Sequence, residues 1–166
     1  GGYFKEEAIR LAHEFITKEL NLKIDYVTVY SGIGDFDGVR VPADDKSKEI
    51  WENIDKNLKV DQKNRDDNFW GPTGNEGPCG PTTEIYVDGL EIWNIVFNEY
   101  YQSYDSKTKT RSIKPLEISG VDTGMGLERL LMVVNKKISV FESDLFEPII
   151  TNIRGLANKE DVRAER

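Results

Sequence analysis

The stretch Thr83–Gln102, "TEIYVDGLEIWNIVFNEYYQ", decides how the rest of the chain is read. Two runs rich in β-branched and aromatic residues flank Asp88-Gly89, the strongest two-residue hairpin signal a sequence offers. A strand shows alternate residues to opposite sides. In the second arm Trp93, Ile95, Phe97 and Tyr101 share one side, which reads as a core face. The other side carries Ile92, Asn94, Val96, Asn98 and Tyr100. Two amides beside a valine suit a concave surface where a small molecule meets an amide and a methyl-sized pocket. Ordinary half-exposed strand positions account for the pattern equally well. The first arm shows Glu84, Tyr86 and Asp88 together. Such carboxylates can hold an ammonium group or a magnesium ion, or can simply be solvated.

Upstream, "GPTGNEGPCGP" (71–81) places Gly71, Gly74, Gly77 and Gly80 at intervals of three, with Pro72, Pro78 and Pro81. Collagen is excluded, because four triplets cannot offset the ordering of a triple helix. A rigid loop remains, with φ fixed by proline and close backbone approach allowed by glycine. Downstream, "ISGVDTGMGLERLLMVVN" (118–135) reads as a strand, a glycine turn and a helix starting near Met125. Glycines there let a ligand approach, and a helix N-terminus favours anions. Arg129 opposes the helix dipole so near the start. Its partner is either a phosphate held bidentately or a carboxylate such as Glu128. Asp122, before the turn, suits an α-ammonium. Together these describe a site for a small zwitterion beside a phosphorylated ligand.

The remaining segments frame that site. "KEEAIRLAHEFITKEL" (5–20) reads as an amphipathic helix with Glu6 and Glu7 in its first turn. His13, the only histidine, reads as a surface or boundary residue of it. "DYVTVYSG" (25–32) reads as a strand and "DDKSKEIWENI" (44–54) as a helix. Residues 56–67 read as a solvated connection with a short strand at Leu58–Val60, and 103–111 as a polar loop. A final helix is expected over 142–159, with Ser143 or Asp144 as cap and Pro148 in the first turn. Residues 159–166 read as a frayed tail, and 1–166 as one domain.

The chain has 166 residues and a formal charge of −8, from 22 Lys and Arg against 30 Asp and Glu. An acidic surface repels a phosphate backbone, so these residues are not expected to supply a main nucleic-acid face. The single cysteine, Cys79, excludes an internal disulfide, and no CxxC or paired-His zinc pattern exists. A reducing, cytoplasmic setting fits best. No apolar run approaches the ~18 residues of a membrane span. The start "GGYFKEE", without Met, reads as a piece of something longer, although a tag scar would look the same.

"DNFW … GPCGPTTEI", "EIWNIVF" and "VDTGMGLERL" together resemble the alanyl-tRNA synthetase family, as does "GGYFKEEAI". The resemblance runs from about residue 2 to about residue 150. The chain departs from the common form "MGDTGPCGPC": Thr82 stands where many relatives have cysteine, which argues against Cys79 as a metal ligand. The resemblance implies an α+β class II aminoacyl-tRNA synthetase catalytic-domain fragment, an antiparallel β-sheet flanked by helices. "GMGLER" would be the third class II motif, with Arg129 catalytic at the terminal phosphate of ATP and Gly126 giving the nucleotide room. Trp70, Asn94, Val96, Asp122 and Gly124 would form the alanine site, and Glu84 would lie near ATP or its magnesium. ATP and Mg2+ are the implied cofactors, with no structural zinc in this segment. The first two class II motifs would precede residue 1. The tRNA-reading, editing and C-terminal parts would follow residue 166, so tRNA(Ala) would be met mostly elsewhere. The isolated chain would then be inactive, and exposed sheet edges would invite self-association. Two rival readings stand: a stand-alone, non-catalytic alanine- or adenylate-binding paralogue, and a scaffold with a decayed site.

Overall fold

The computed structural model describes residues 2–34, 36 and 38–157; the expected tail 159–166 lies outside them. The architecture is α+β, as the sequence implies. Two compact units divide the chain, Gly1–Met125 and Gly126–Arg166.

The first unit is a mostly antiparallel sheet. Its strands are β1 (Tyr26–Tyr30), β2 (Lys59–Lys63), β3 (Phe69–Trp70), β4 (Gly77–Val87), β5 (Leu90–Asp105) and β6 (Thr110–Met125). They lie in the order β2-β1-β4-β5-β6, with β3 added onto β4. Only β1 and β2 run parallel. The hairpin turn is as expected: Asp88 and Gly89 both take positive φ, 51° and 73°, the geometry whose twist matches the flanking strands.

Helix α1 (Lys5–Glu14) and helix α2 (Asp45–Ile54) supply the helical layer. Phe97 meets Phe4 edge-on with ring centroids 5.4 Å apart, and Trp93 meets Phe15 at 5.8 Å. The odd-numbered face of β5 is therefore the core face, with Ile95 and Phe97 buried beside Ile9 and Ile16. After Glu14 the helix widens into a π turn, Phe15–Glu19, closed by the Leu20 N–H on the Phe15 carbonyl at 3.0 Å. His13 packs edge-on against Trp51 at 6.3 Å, and burial holds its pKa below the ordinary imidazole value. It is a boundary residue of the helix.

Asp44 caps α2 through the Ser47 N–H, at 3.1 Å. The same carboxylate accepts from Lys5 Nζ at 2.6 Å, and Lys5 also pairs with Glu99. Pairing is what lets a lysine sit in the interior. Trp51 is fully buried and donates through Nε1 to Thr83 Oγ1 at 2.8 Å. The change Trp51→Phe removes that bond and part of the packed volume. It is expected to destabilise the chain by about 2 kcal/mol, read as a lower urea midpoint at unchanged slope.

Several expectations need correction. The glycine-proline segment is a loop only over 71–76, because Gly77–Pro81 already belong to β4. Pro78 and Pro81 are each paired on one side only, Pro78 with Tyr101 of β5 and Pro81 with Phe69 of β3. β1 pairs with β4 only from Thr83 onward, and the β4–β5 register breaks between Cys79 and Thr82. The polar segment 103–111 is not a loop: β5 continues to Asp105 and β6 begins at Thr110. Asp105 Oδ1 organises the short turn by accepting from the N–H groups of Lys107 and Thr108. The connection 56–67 contains β2 and a short helix, α3 (Arg65–Asn68), capped by Asn64. Ile92 lies where the β4–β5 register shifts and is buried, so it does not extend the amide-bearing face outward.

The second unit holds α4 (Leu127–Val134), a 3-10 turn (Val140–Glu142) and α5 (Glu147–Leu156). Pro148 lies in the first turn of α5 as expected. Neither Ser143 nor Asp144 caps it: Phe146 holds the cap position without a side-chain bond, and the Ser143 carbonyl accepts from Phe146 and Glu147 N–H instead. Among the described residues no helix is long and apolar enough to cross a membrane.

Candidate active site

Residues directly opposite on antiparallel strands show their side chains to the same face. The register therefore assembles the site by itself. Thr28 of β1 lies opposite Glu84 of β4, Glu84 opposite Asn94 of β5, and Asn94 opposite Gly124 of β6. The adjacent row runs Thr82, Val96, Asp122. Five of the expected residues, Glu84, Asn94, Val96, Asp122 and Gly124, thus share one sheet face. It is the face opposite the α1 layer.

Val96 is buried, with Asn94 and Asn98 on either side along the strand and Thr82 and Asp122 across it. Asp122 is exposed on β6, which is an edge of the sheet, and one of its oxygens accepts from the Thr123 N–H at 2.8 Å. Gly124 keeps open space where a Cβ would stand. Trp70 lies on β3 opposite Gly80 and is 37% exposed. Its neighbour Phe69 enters an apolar cluster with Tyr30, Phe36 and Tyr100 that closes one end of this face.

Glu84 is 7% exposed. Its Oε2 accepts from Thr28 Oγ1 at 3.1 Å and from the Tyr86 hydroxyl at 3.0 Å, and its Oε1 accepts from Asn94 Nδ2 at 3.4 Å. Burial pushes its pKa above the ordinary carboxylate value, against the lowering effect of the Tyr86 and Thr28 bonds. Behind it Asn68 Nδ2 donates to Thr28 Oγ1 at 2.9 Å and to Thr82 Oγ1 at 3.2 Å. The side-chain carbonyl oxygens of Asn94 and Asn98 are shielded and have no hydrogen-bond partner among the described residues. A buried acceptor without a donor is costly, and a ligand with N–H groups would relieve it.

Cys79 is buried, and burial raises its thiol pKa to about 11, so it is neither a nucleophile nor a ready thiolate ligand. No cluster of three or more His, Cys, Asp or Glu side chains able to hold a metal occurs among the described residues.

The second unit carries the other two expected residues. Gly126 precedes α4 as its cap residue, without a side-chain cap bond, and Arg129 is the third residue of the helix. The arginine stem lies against Gly126, where a Cβ would stand 3.3 Å from Arg129 Cδ.

Sequence reading missed Thr28, Asn68 and Thr82. Thr28 shares a strand face with Tyr26 and Tyr30, but only the β1–β4 register shows that it reaches Glu84. Asn68 stands in the quoted "DNFW", where Trp70 alone had been given a role.

Residues 1–166 match the tRNA synthetases class II (A), and the chain belongs to that family. Among curated proteins it is similar to alanine–tRNA ligases. It is 36% identical to that of Rubrobacter xylanophilus, over 93% of this chain and 20% of that protein. It is 37% identical to that of Borreliella afzelii, over 96% of this chain and 29% of that protein. For Treponema pallidum the identity is 37%, over 96% of this chain and 28% of that protein. The chain thus spans less than a third of the length of these relatives.

Proposed function

We propose that residues 1–166 are the C-terminal part of a class II aminoacylation domain whose whole protein activates alanine with ATP and transfers it to tRNA(Ala) in the cytoplasm. The observation that carries this reading is the pair of rows Thr28–Glu84–Asn94–Gly124 and Thr82–Val96–Asp122 on one sheet face. The similarity to alanine–tRNA ligases supports it.

In this reading Asp122 takes the α-ammonium of alanine, Val96 meets its methyl group, and Asn94, Gly124 and Trp70 complete the pocket. Arg129, with Gly126 leaving room, holds the terminal phosphate of ATP, and Glu84 stands on the pocket floor beside Asn94. An alanine carboxylate oxygen attacks the α-phosphorus, a P–O bond forms, and the bond to the departing pyrophosphate breaks. Such chemistry needs alignment and charge neutralisation and no nucleophilic side chain. Magnesium would arrive on the nucleotide phosphates, since the described residues hold no carboxylate cluster for it. Such a pocket discriminates poorly against serine and glycine, because one methylene is worth only ~1–3 kcal/mol. The whole protein would therefore need an editing activity. β2 and β6 are the sheet's edge strands, and self-association of the isolated chain would run through them.

The test is ATP–pyrophosphate exchange. The complete natural reading frame should exchange in an alanine-dependent way. The 166 residues alone, which cover less than a third of the length of those relatives, should not. Exchange by the short chain would refute that expectation. A whole protein that binds alanine without exchange would favour the non-catalytic paralogue.

A further inference from the structure

We propose that Glu84 is a positioning residue: held by Thr28 and Tyr86, it fixes the rotation of the Asn94 amide so that the carbonyl oxygen, and not the NH2 group, is offered to the amino group of the substrate. This rests on the alanine-site reading above and adds the chain of bonds behind it.

An ionised carboxylate only accepts hydrogen bonds, whereas an asparagine amide has a donating and an accepting end. Asn94 places Nδ2 on Glu84 Oε1. Turning the amide over would set its oxygen against the carboxylate oxygen, with no proton between them. Glu84 therefore permits one orientation. The consequence is visible at the other end of the amide, where Oδ1 is shielded and partnerless among the described residues. A ligand ammonium is a donor that would complete it.

The donors to Glu84 are themselves directed. Thr28 Oγ1 already accepts from Asn68 Nδ2 at 2.9 Å, which leaves its own proton for Glu84 Oε2. The Tyr86 ring is stacked on Tyr26, with centroids 4.3 Å apart and planes 14° from parallel, so its hydroxyl is held in place. With Oε2 taken twice and Oε1 taken by Asn94, both oxygens of Glu84 are engaged within the sheet. Glu84 thus acts on the amino-acid end of the site through Asn94, not by touching the nucleotide.

The experiment uses the full-length protein and compares Tyr86→Phe, Thr28→Val and Thr28→Ser. Removing either hydroxyl loosens Glu84, and the KM for alanine should rise about fivefold to tenfold, the effect of losing one hydrogen bond of ordinary strength. The KM for ATP and the rate at saturating alanine should stay the same. Thr28→Ser, which keeps the hydroxyl, should restore the alanine KM. Two competitors separate this from a general loosening. Alaninol, which has the ammonium but no carboxylate, should inhibit Tyr86→Phe less well by the same factor. Propionate, which has only hydrogen in place of the ammonium and so no donor for Asn94, should inhibit both proteins equally. Parallel losses for alaninol and propionate, an unchanged alanine KM, or a rise in the ATP KM would each overturn the proposal. Absence of alanine-dependent exchange in the unaltered protein would instead overturn the underlying functional reading, and this proposal with it.

Discussion

Replacing Asp122 by alanine in the full-length protein is expected to lower kcat/KM for alanine by about two orders of magnitude while leaving the KM for ATP near its original value. The size follows from the bond at stake. A hydrogen bond between charged partners contributes about 1.5–3 kcal/mol, and about 2.7 kcal/mol corresponds to a hundredfold change. Asp122 has the geometry for this role. It lies opposite Val96, so in the proposed reading a substrate methyl on the valine would bring the α-ammonium toward the carboxylate. One of its oxygens is held by the Thr123 N–H, which stiffens the side chain and leaves the other oxygen for the ligand. Asp122→Asn should fall between, because it keeps an acceptor and loses the charge. Steady-state exchange kinetics with alanine and ATP varied in turn check both. An unchanged alanine KM in Asp122→Ala would remove the residue from the site.

Much of this face could be read from period and spacing alone. Asn94 and Val96 fall on one predictable side of the hairpin's second arm, but the register shift between Ile85 and Tyr86 means that the Asp-Gly turn alone would not pair Glu84 with Asn94. The link from that hairpin to Thr28 and Asp122 could not. Thr28 stands 56 residues before Glu84, and strand neighbours at such a separation are chosen by tertiary packing. On the other side, the β5–β6 register jumps between Asn98 and Tyr100, from Gly120 to Pro115. Counting back from a turn through such an irregularity gives the wrong partner for Val96. Composition misled most at the two ends of the ribbon. The segment 103–111 is polar because both of its arms are solvated, not because they lack strand geometry. The start of β4 reads as a loop because it is rich in glycine and proline, residues that strands usually exclude.

That last misreading leads to a second large effect. Gly80→Ala is expected to destabilise the chain by about 3 kcal/mol or more, at or above the top of the range for overpacking, and to lower soluble yield. The spacing of glycines suggested that something approaches the 71–81 backbone closely. At Gly80 the approaching group belongs to the protein: a Cβ there would collide with the Phe97 carbonyl oxygen and stand 2.8 Å from its carbon and 3.1 Å from the Glu99 nitrogen. These are backbone atoms, so no rotamer change can yield, and β4 would have to part from β5 beside Val96. Gly74 is the internal control, since nothing lies within 4 Å of a Cβ built there. Gly74→Ala should leave stability within about 1 kcal/mol of the original, by restricting the unfolded chain without straining the folded one. Urea unfolding of the two variants beside the unaltered chain makes the comparison, and equal midpoints would mean that β4 and β5 are not packed as closely as Gly80 requires. The glycine that matters most for the pocket would then do so indirectly. It lets the two strands that carry Thr82 and Val96 close to contact distance, and so sets the floor on which, in the proposed reading, the substrate methyl group would rest.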